Sequence, residues 1–137
     1  LEAYIGKWAL NAQILKALDN KKKTRLKSII DYNLKKQPVK SSSLKKAYEK
    51  GDSFTTELLE AHYAHYLAIG LSQTANCLAP DCIVLGGGIM EAMGEYLLPV
   101  IRNNLESLCM GPPPQLQLAE LGDLAGPLGA AIEACRK

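Results

Sequence analysis

Cys82-Ile83-Val84-Leu85-Gly86-Gly87-Gly88 is the stretch whose reading decides the fold. The apolar run Cys82 to Leu85 has no polar interruption and leads straight into the glycines. Such a run suits a strand buried on both faces, as in a parallel sheet. Glycines at the carboxyl end of that strand let backbone N–H groups approach an anion closely, and a helix starting there adds a favourable dipole. Open α/β sheets bind ligands at this end of their strands. The motif is neither GxGxxG nor a Walker A loop, since no Lys-Ser/Thr pair follows. The residues by themselves therefore leave two readings open, a phosphate-binding turn and a tight strand-to-helix turn.

Downstream, Met93, Leu97, Val100, Ile101, Leu105 and Leu108 predict the inner face of a helix over about residues 91–108. Gly111-Pro112-Pro113-Pro114 is a stiff connector, and Leu116-Gln117-Leu118-Ala119 alternates like a second strand. After Gly122-Asp123 a last helix carries Leu124, Leu128, Ala131, Ile132 and Cys135. A strand–helix–strand order requires a parallel pair joined by a crossover. Upstream lies the longest predicted helix, capped by Asp52 or Ser53, burying Ala64, Leu67, Ala68, Leu71, Ala75 and Leu78, and stopped by Pro80. Before it, Ser41-Ser42-Ser43 caps a short helix closed by Gly51. A stripe of Leu26, Ile29, Ile30 and Leu34 ends at Gln37-Pro38. Leu1, Ile5, Trp8, Ala12 and Leu15 predict one amphipathic helix over about residues 1–18. The fold class is thus helix-rich α/β. Two strands make a poor sheet on their own, so further strands are expected from sequence before residue 1 or from a partner chain.

The 137 residues suffice in mass for one domain, and 47% hydrophobic content supports a core. The net charge of +2 hides a split: residues 1–50 carry +9 and residues 51–137 carry −7. The basic half is the helical region, and Lys21 to Lys27 read as a solvated face, because no aromatic interleaving accompanies them. No nucleic-acid partner is expected for this segment. In the acidic half, which holds the glycine turn, backbone amides rather than lysines would have to meet phosphates. Cys77, Cys82, Cys109 and Cys135 lie in apolar segments without CxxC spacing and read as buried free thiols, in a cytoplasmic setting, with no metal site. His62 and His65 are three residues apart with no third ligand evident, and read as ordinary histidines. Gly122, Gly126 and Gly129 read as close packing at a helix start, and Glu2 as a carboxylate favouring a helix N-terminus. No apolar run reaches membrane-spanning length.

Taken in order, Leu1-Glu2-Ala3-Tyr4, Tyr48-Glu49-Lys50-Gly51-Asp52, Asn76-Cys77-Leu78-Ala79-Pro80-Asp81-Cys82-Ile83-Val84-Leu85-Gly86-Gly87-Gly88 and Gly126-Pro127-Leu128-Gly129-Ala130-Ala131 resemble the carboxyl-terminal part of the ROK family of sugar kinases and sugar-responsive repressors. The resemblance covers nearly the whole chain and is weakest over about residues 20–45. It implies the end of the second lobe of a ribonuclease-H-like, actin/hexokinase-type fold. It gives Gly86, Gly87 and Gly88 a nucleotide-binding role and makes Glu2 a ligand of the sugar hydroxyls. It implies no catalytic residue here. The catalytic Asp, the Asp-x-Gly-x-Thr turn and a cysteine-rich zinc loop would lie before Leu1, so the chain reads as a piece of a longer protein.

For that longer protein the resemblance implies transfer of the ATP γ-phosphate to a hexose or N-acylhexosamine, with Mg²⁺; the incomplete sheet and apolar helix faces point in addition to a partner, and a homo-oligomer is expected. Two alternatives remain at this point. One is the sugar-sensing body of a repressor whose helix-turn-helix lies upstream. The other is a helical α/β interaction domain without catalysis.

Overall fold

The structure, a computed structural model, describes residues 1–31 and 33–136. The chain opens with two helices, α1 (Glu2–Ile5) and α2 (Lys7–Asp19), where the apolar spacing predicts one. The break is Gly6, whose ψ of 153° leaves the helical region. Glycine is a poor helix former, and here it also gives way to a neighbour: a Cβ at Gly6 would lie 2.6 Å from the backbone oxygen of Glu2. The break resets the helical phase. Leu10, Asn11, Ile14 and Ala17 face inward, while the expected inner residues Leu1 and Trp8 are exposed, Trp8 by 58%.

Two short helices follow, α3 (Leu26–Ile29) and α4 (Ser41–Glu49). The stripe predicted to run on to Leu34 stops at Ile30, which is extended. Ser41-Ser42-Ser43 lies inside the first turn of α4, and Lys40 occupies the cap position without a side-chain cap bond. The chain between α2 and α4 is held by Asn11, whose buried amide donates to Leu34 O at 2.5 Å and accepts from Val39 N at 3.1 Å.

The long helix is three segments in line: α5 (Ser53–Thr56), a π-helical stretch over Glu57–Ala64, and α6 (His65–Leu78). Asp52 is its cap. Ala64, Leu67, Ala68 and Leu71 are buried as their spacing predicts, but Leu78 is 74% exposed. Ala79, at φ +45°, turns the chain out of α6 in the left-handed region.

The strands β1 (Cys82–Leu85) and β2 (Gln115–Leu118) pair in parallel, Cys82 opposite Gln115 and Leu85 opposite Leu118, with α7 (Gly88–Glu106) as the crossover. α7 packs on α4, α6, the π-helical stretch and β2. Ile89, Met90, Met93, Leu97, Ile101 and Leu105 form its buried face. Gly94 admits β2 closely, since a Cβ there would meet Leu118 Cδ2 at 2.6 Å. Because helices cover one face of the sheet, β1 is not buried on both sides as its composition predicts. Leu85 is buried, whereas Val84 on the opposite face is 60% exposed. The cysteines follow suit: they are free, but Cys77, Cys82 and Cys135 are exposed and Cys109 is half-buried, against the expectation of buried thiols.

A short 3₁₀ turn (Gly122–Leu124) leads into α8 (Ala125–Cys135). No residue of α8 is buried. Its expected inner residues Leu128 and Ile132 are 45% and 55% exposed. No helix among the described residues is long and apolar enough to cross a membrane.

Candidate functional site

The glycine turn begins where the sheet ends. Ala119 N donates to Leu85 O at 2.8 Å, which carries the ladder one step past β2. A Cβ at Gly86 would lie 3.2 Å from Ala119 Cβ, so this residue is small because the neighbouring strand is near. Gly87 has φ +96° and ψ 159°, a region essentially restricted to glycine. Nothing lies within 4 Å of where its Cβ would stand, so the conformation, not crowding, requires glycine there. Gly87 is the cap residue of α7, and no side chain caps the helix. The opening N–H groups of a helix lack intrahelical partners. Here they face the carboxyl end of a parallel strand, a geometry suited to an anion.

Two side chains from the other half of the molecule reach this turn. A Cβ at Gly88 would lie 3.2 Å from Lys7 Nζ and 3.3 Å from Ser41 Oγ. Lys7 is the first residue of α2, Ser41 the first of α4 and Gly88 the first of α7. Sequence reasoning assigns lysines no part at the glycine turn; the fold brings one there. Its only trace in the sequence is a cation just after the α1–α2 break, at a helix N-terminus, where an acidic residue would be favoured.

Glu2 lies at the other end of the same local unit. It is exposed, in the first turn of α1, and its carboxylate folds over Gly6, so tightly that any Cβ there would collide with it. Gly6 thus stands between the Glu2 carboxylate and Lys7. α1 is only four residues long and is held from outside. His62 Nε2 donates to Tyr4 O at 2.9 Å, and Gln13 lies against the same ring nitrogen. Tyr4 stacks on Tyr66 with ring centroids 4.5 Å apart. Gly70 gives room to Leu1, whose Cδ2 would be 2.8 Å from a Cβ at that position. His62 and Tyr66 of the long helix therefore position the segment that carries Glu2, a role that spacing alone does not suggest.

Tyr48 to Asp52 close on a different task. Gly51, at φ +68°, turns the chain out of α4. Asp52 then accepts from Thr55 N at 3.0 Å and Thr55 Oγ1 at 2.6 Å, and across the chain from Arg25 N at 2.7 Å and Thr24 Oγ1 at 2.9 Å. Burial pushes its carboxyl pKa up, but these donors outweigh burial and hold it below the ordinary value. Part of the basic run is thereby tied to the fold, as is Lys22, which pairs with Glu57 at 2.6 Å. Tyr48 donates to Glu60, and this bond and burial push the phenol up to about 12. Gly126 and Gly129 have open space where a Cβ would be, so close packing does not explain them.

A model of the ROK family matches residues 1–137. A glucokinase of Halalkalibacterium halodurans is 33% identical over 86 residues, covering 61% of this chain and 26% of the relative. An N-acetyl-D-glucosamine kinase of Escherichia coli is 29% identical over 109 residues, covering 70% and 31%. Among solved structures, a ROK family glucokinase from Streptomyces griseus in complex with glucose and AMPPNP superposes with a TM-score of 0.76 at 25% identity, over 96% of this chain and 43% of that one. The ROK hexokinase from Thermus thermophilus gives 0.66 at 29% identity, over 96% and 38%. The chain thus spans about a quarter to a third of the curated relatives it matches.

Proposed function

Because this chain belongs to the ROK family, whose model matches it from end to end, we propose that it is the carboxyl-terminal part of the second lobe of an ATP-dependent sugar kinase. In that reading residues 1–50 are its basic helical region, and residues 51–137 supply the long helix and the strand–helix–strand–helix unit. The protein would act in the cytoplasm, transferring the ATP γ-phosphate to a hydroxyl of a hexose or N-acylhexosamine. Its relatives include a glucokinase and an N-acetyl-D-glucosamine kinase.

The observation that carries the reading is the uncapped start of α7 behind the left-handed Gly87, at the carboxyl end of β1. Backbone N–H groups at Gly86 to Gly88 are suited to nucleotide phosphates, and the acidic half of the chain needs no lysine of its own to receive them. Mg²⁺ bound to the nucleotide would neutralise charge on the phosphates; the donors at this turn fit the anion, not the metal. Glu2 is suited to accept hydrogen bonds from sugar hydroxyls, and as an ionised carboxylate would make strong ones. Phosphoryl transfer depends mainly on positioning and charge stabilisation, so these two groups would hold the reactants while a base elsewhere takes the proton.

The test is sugar phosphorylation by the full-length protein, with Gly87→Val and Glu2→Gln beside it. Gly87→Val should raise the KM for ATP at least tenfold, and Glu2→Gln the KM for the sugar, each leaving the other constant nearly unchanged. The 137-residue chain by itself is expected to phosphorylate no sugar. Nucleotide binding unchanged by Gly87→Val would remove the turn from the site.

A further inference from the structure

We propose that Lys7 and Ser41 are ligands of the nucleotide phosphates at the Gly86–Gly88 turn, with Lys7 bringing positive charge to a turn whose own half of the chain is net acidic. The inference rests on the reading of that turn as a nucleotide site and adds two residues to it. Lys7 Nζ and Ser41 Oγ each stand within 3.3 Å of the position a Gly88 Cβ would take, so both reach the first residue of α7. Among the described residues neither side chain has an ion-pair or hydrogen-bond partner within the chain.

The electrostatics point to an anion. Lys7, Ser41 and Gly88 are the first residues of three helices of 13, 9 and 19 residues, and none of the three has a side-chain cap. Positive helix ends favour negative charge nearby and disfavour cations. Glu91 stands in the first turn of α7, but α2 and α4 have no acidic residue in theirs, and the side chain that α2 sends to Gly88 is a lysine. Lys7 at the start of α2 is unfavourably placed against that helix's dipole. A polyphosphate at this turn would neutralise the lysine and complement the starts of α4 and α7, against the opposing charge of Glu91 in the first turn of α7. An ammonium is a compact charge suited to a phosphate oxygen, and a hydroxyl can donate to a neighbouring one.

The experiment titrates the full-length protein with AMPPNP, comparing the unaltered protein with Lys7→Met, Lys7→Arg, Ser41→Ala and Gly87→Val. Lys7→Met should weaken AMPPNP about tenfold or more, with Lys7→Arg recovering most of the loss and Ser41→Ala losing a few-fold. The contribution of Lys7 should shrink with rising salt. Without nucleotide, Lys7→Met should melt at the same temperature as the unaltered protein or slightly higher, since it removes a cation unfavourably placed at the start of α2. A purely structural lysine would give a lower melting temperature and an unchanged affinity. AMPPNP affinity within twofold in Lys7→Met, alongside a large loss in Gly87→Val, overturns the assignment of Lys7 and leaves the glycine turn standing. No loss in Gly87→Val overturns the reading of the turn and this inference with it.

Discussion

Replacing Asp52 by alanine removes one side chain that joins two parts of the chain. Its carboxylate accepts from Thr55 N and Thr55 Oγ1 on the long helix and from Arg25 N and Thr24 Oγ1 in the basic segment. The residue is 4% exposed, so water does not easily replace those bonds. Loss of a helix cap costs about 1 kcal/mol, and a hydrogen bond to a charged group about 1.5–3 kcal/mol. The four bonds share one acceptor and do not add. A total of about 3 kcal/mol follows, or roughly 10 °C in Tm for a domain of this size. Asp52→Asn keeps one carbonyl oxygen and should lose about half as much.

The pH dependence has a definite sign. The carboxyl pKa in the folded chain is held below its ordinary value by the Thr55, Arg25 and Thr24 donors, which overcome the opposing effect of burial. A depressed folded pKa contributes stability that is full above the unfolded pKa of about 4 and is lost as pH falls through the folded one. The gap between the unaltered protein and Asp52→Asn should therefore be constant from about pH 5 to 8 and narrow below about pH 4. Urea unfolding at a series of pH values measures it. A Tm change under about 2 °C in Asp52→Ala, or a gap that widens in acid, would refute the reasoning.

Two further substitutions test other parts of the structure. Gly6→Ala should displace the Glu2 carboxylate, because a Cβ there would stand 2.6 Å from the fixed backbone oxygen of Glu2; the sugar KM should rise about 10- to 100-fold for one or two lost charged hydrogen bonds, with AMPPNP affinity unchanged. Ile101→Ala truncates a side chain with no exposed surface and should cost about 2–5 kcal/mol in urea unfolding, with unchanged KM values for protein that remains folded.

Much of the fold was legible because short-range chemistry specifies it. Cys82 to Leu85 is a strand, the glycines turn it into a helix, and Met93, Leu97, Ile101 and Leu105 mark that helix's inner face. Asp52 caps as its residue type suggests. The misreadings come from faces whose neighbours could not be known. Alternation places Cys82 and Val84 on the same side of β1, but only packing says which side a helix covers. At Gly6 the apolar spacing continued smoothly across a break, where ψ leaves the helical region and Glu2 packs over the glycine, and the phase of everything in α2 shifted. The π-helical stretch at Glu57–Ala64 has no signature in residue spacing at all.

The sequence by itself determined that a strand runs into a glycine turn, where Gly87 takes φ +96°, and its family resemblance singled out that turn and the Glu2 carboxylate as candidate binding groups. Periodicity and residue type act over a few positions, so such features are written locally. The tertiary structure alone decided that Lys7 and Ser41 meet Gly88, and that His62 and Tyr66 hold the Glu2 segment from the long helix. Those meetings join positions dozens of residues apart, and depend on the helix phase after Gly6 and on the packing of α4 and α6 against α7. The charge split of +9 and −7 changes meaning accordingly: the basic half is not merely a solvated face, because packing carries one of its lysines to the turn in the acidic half.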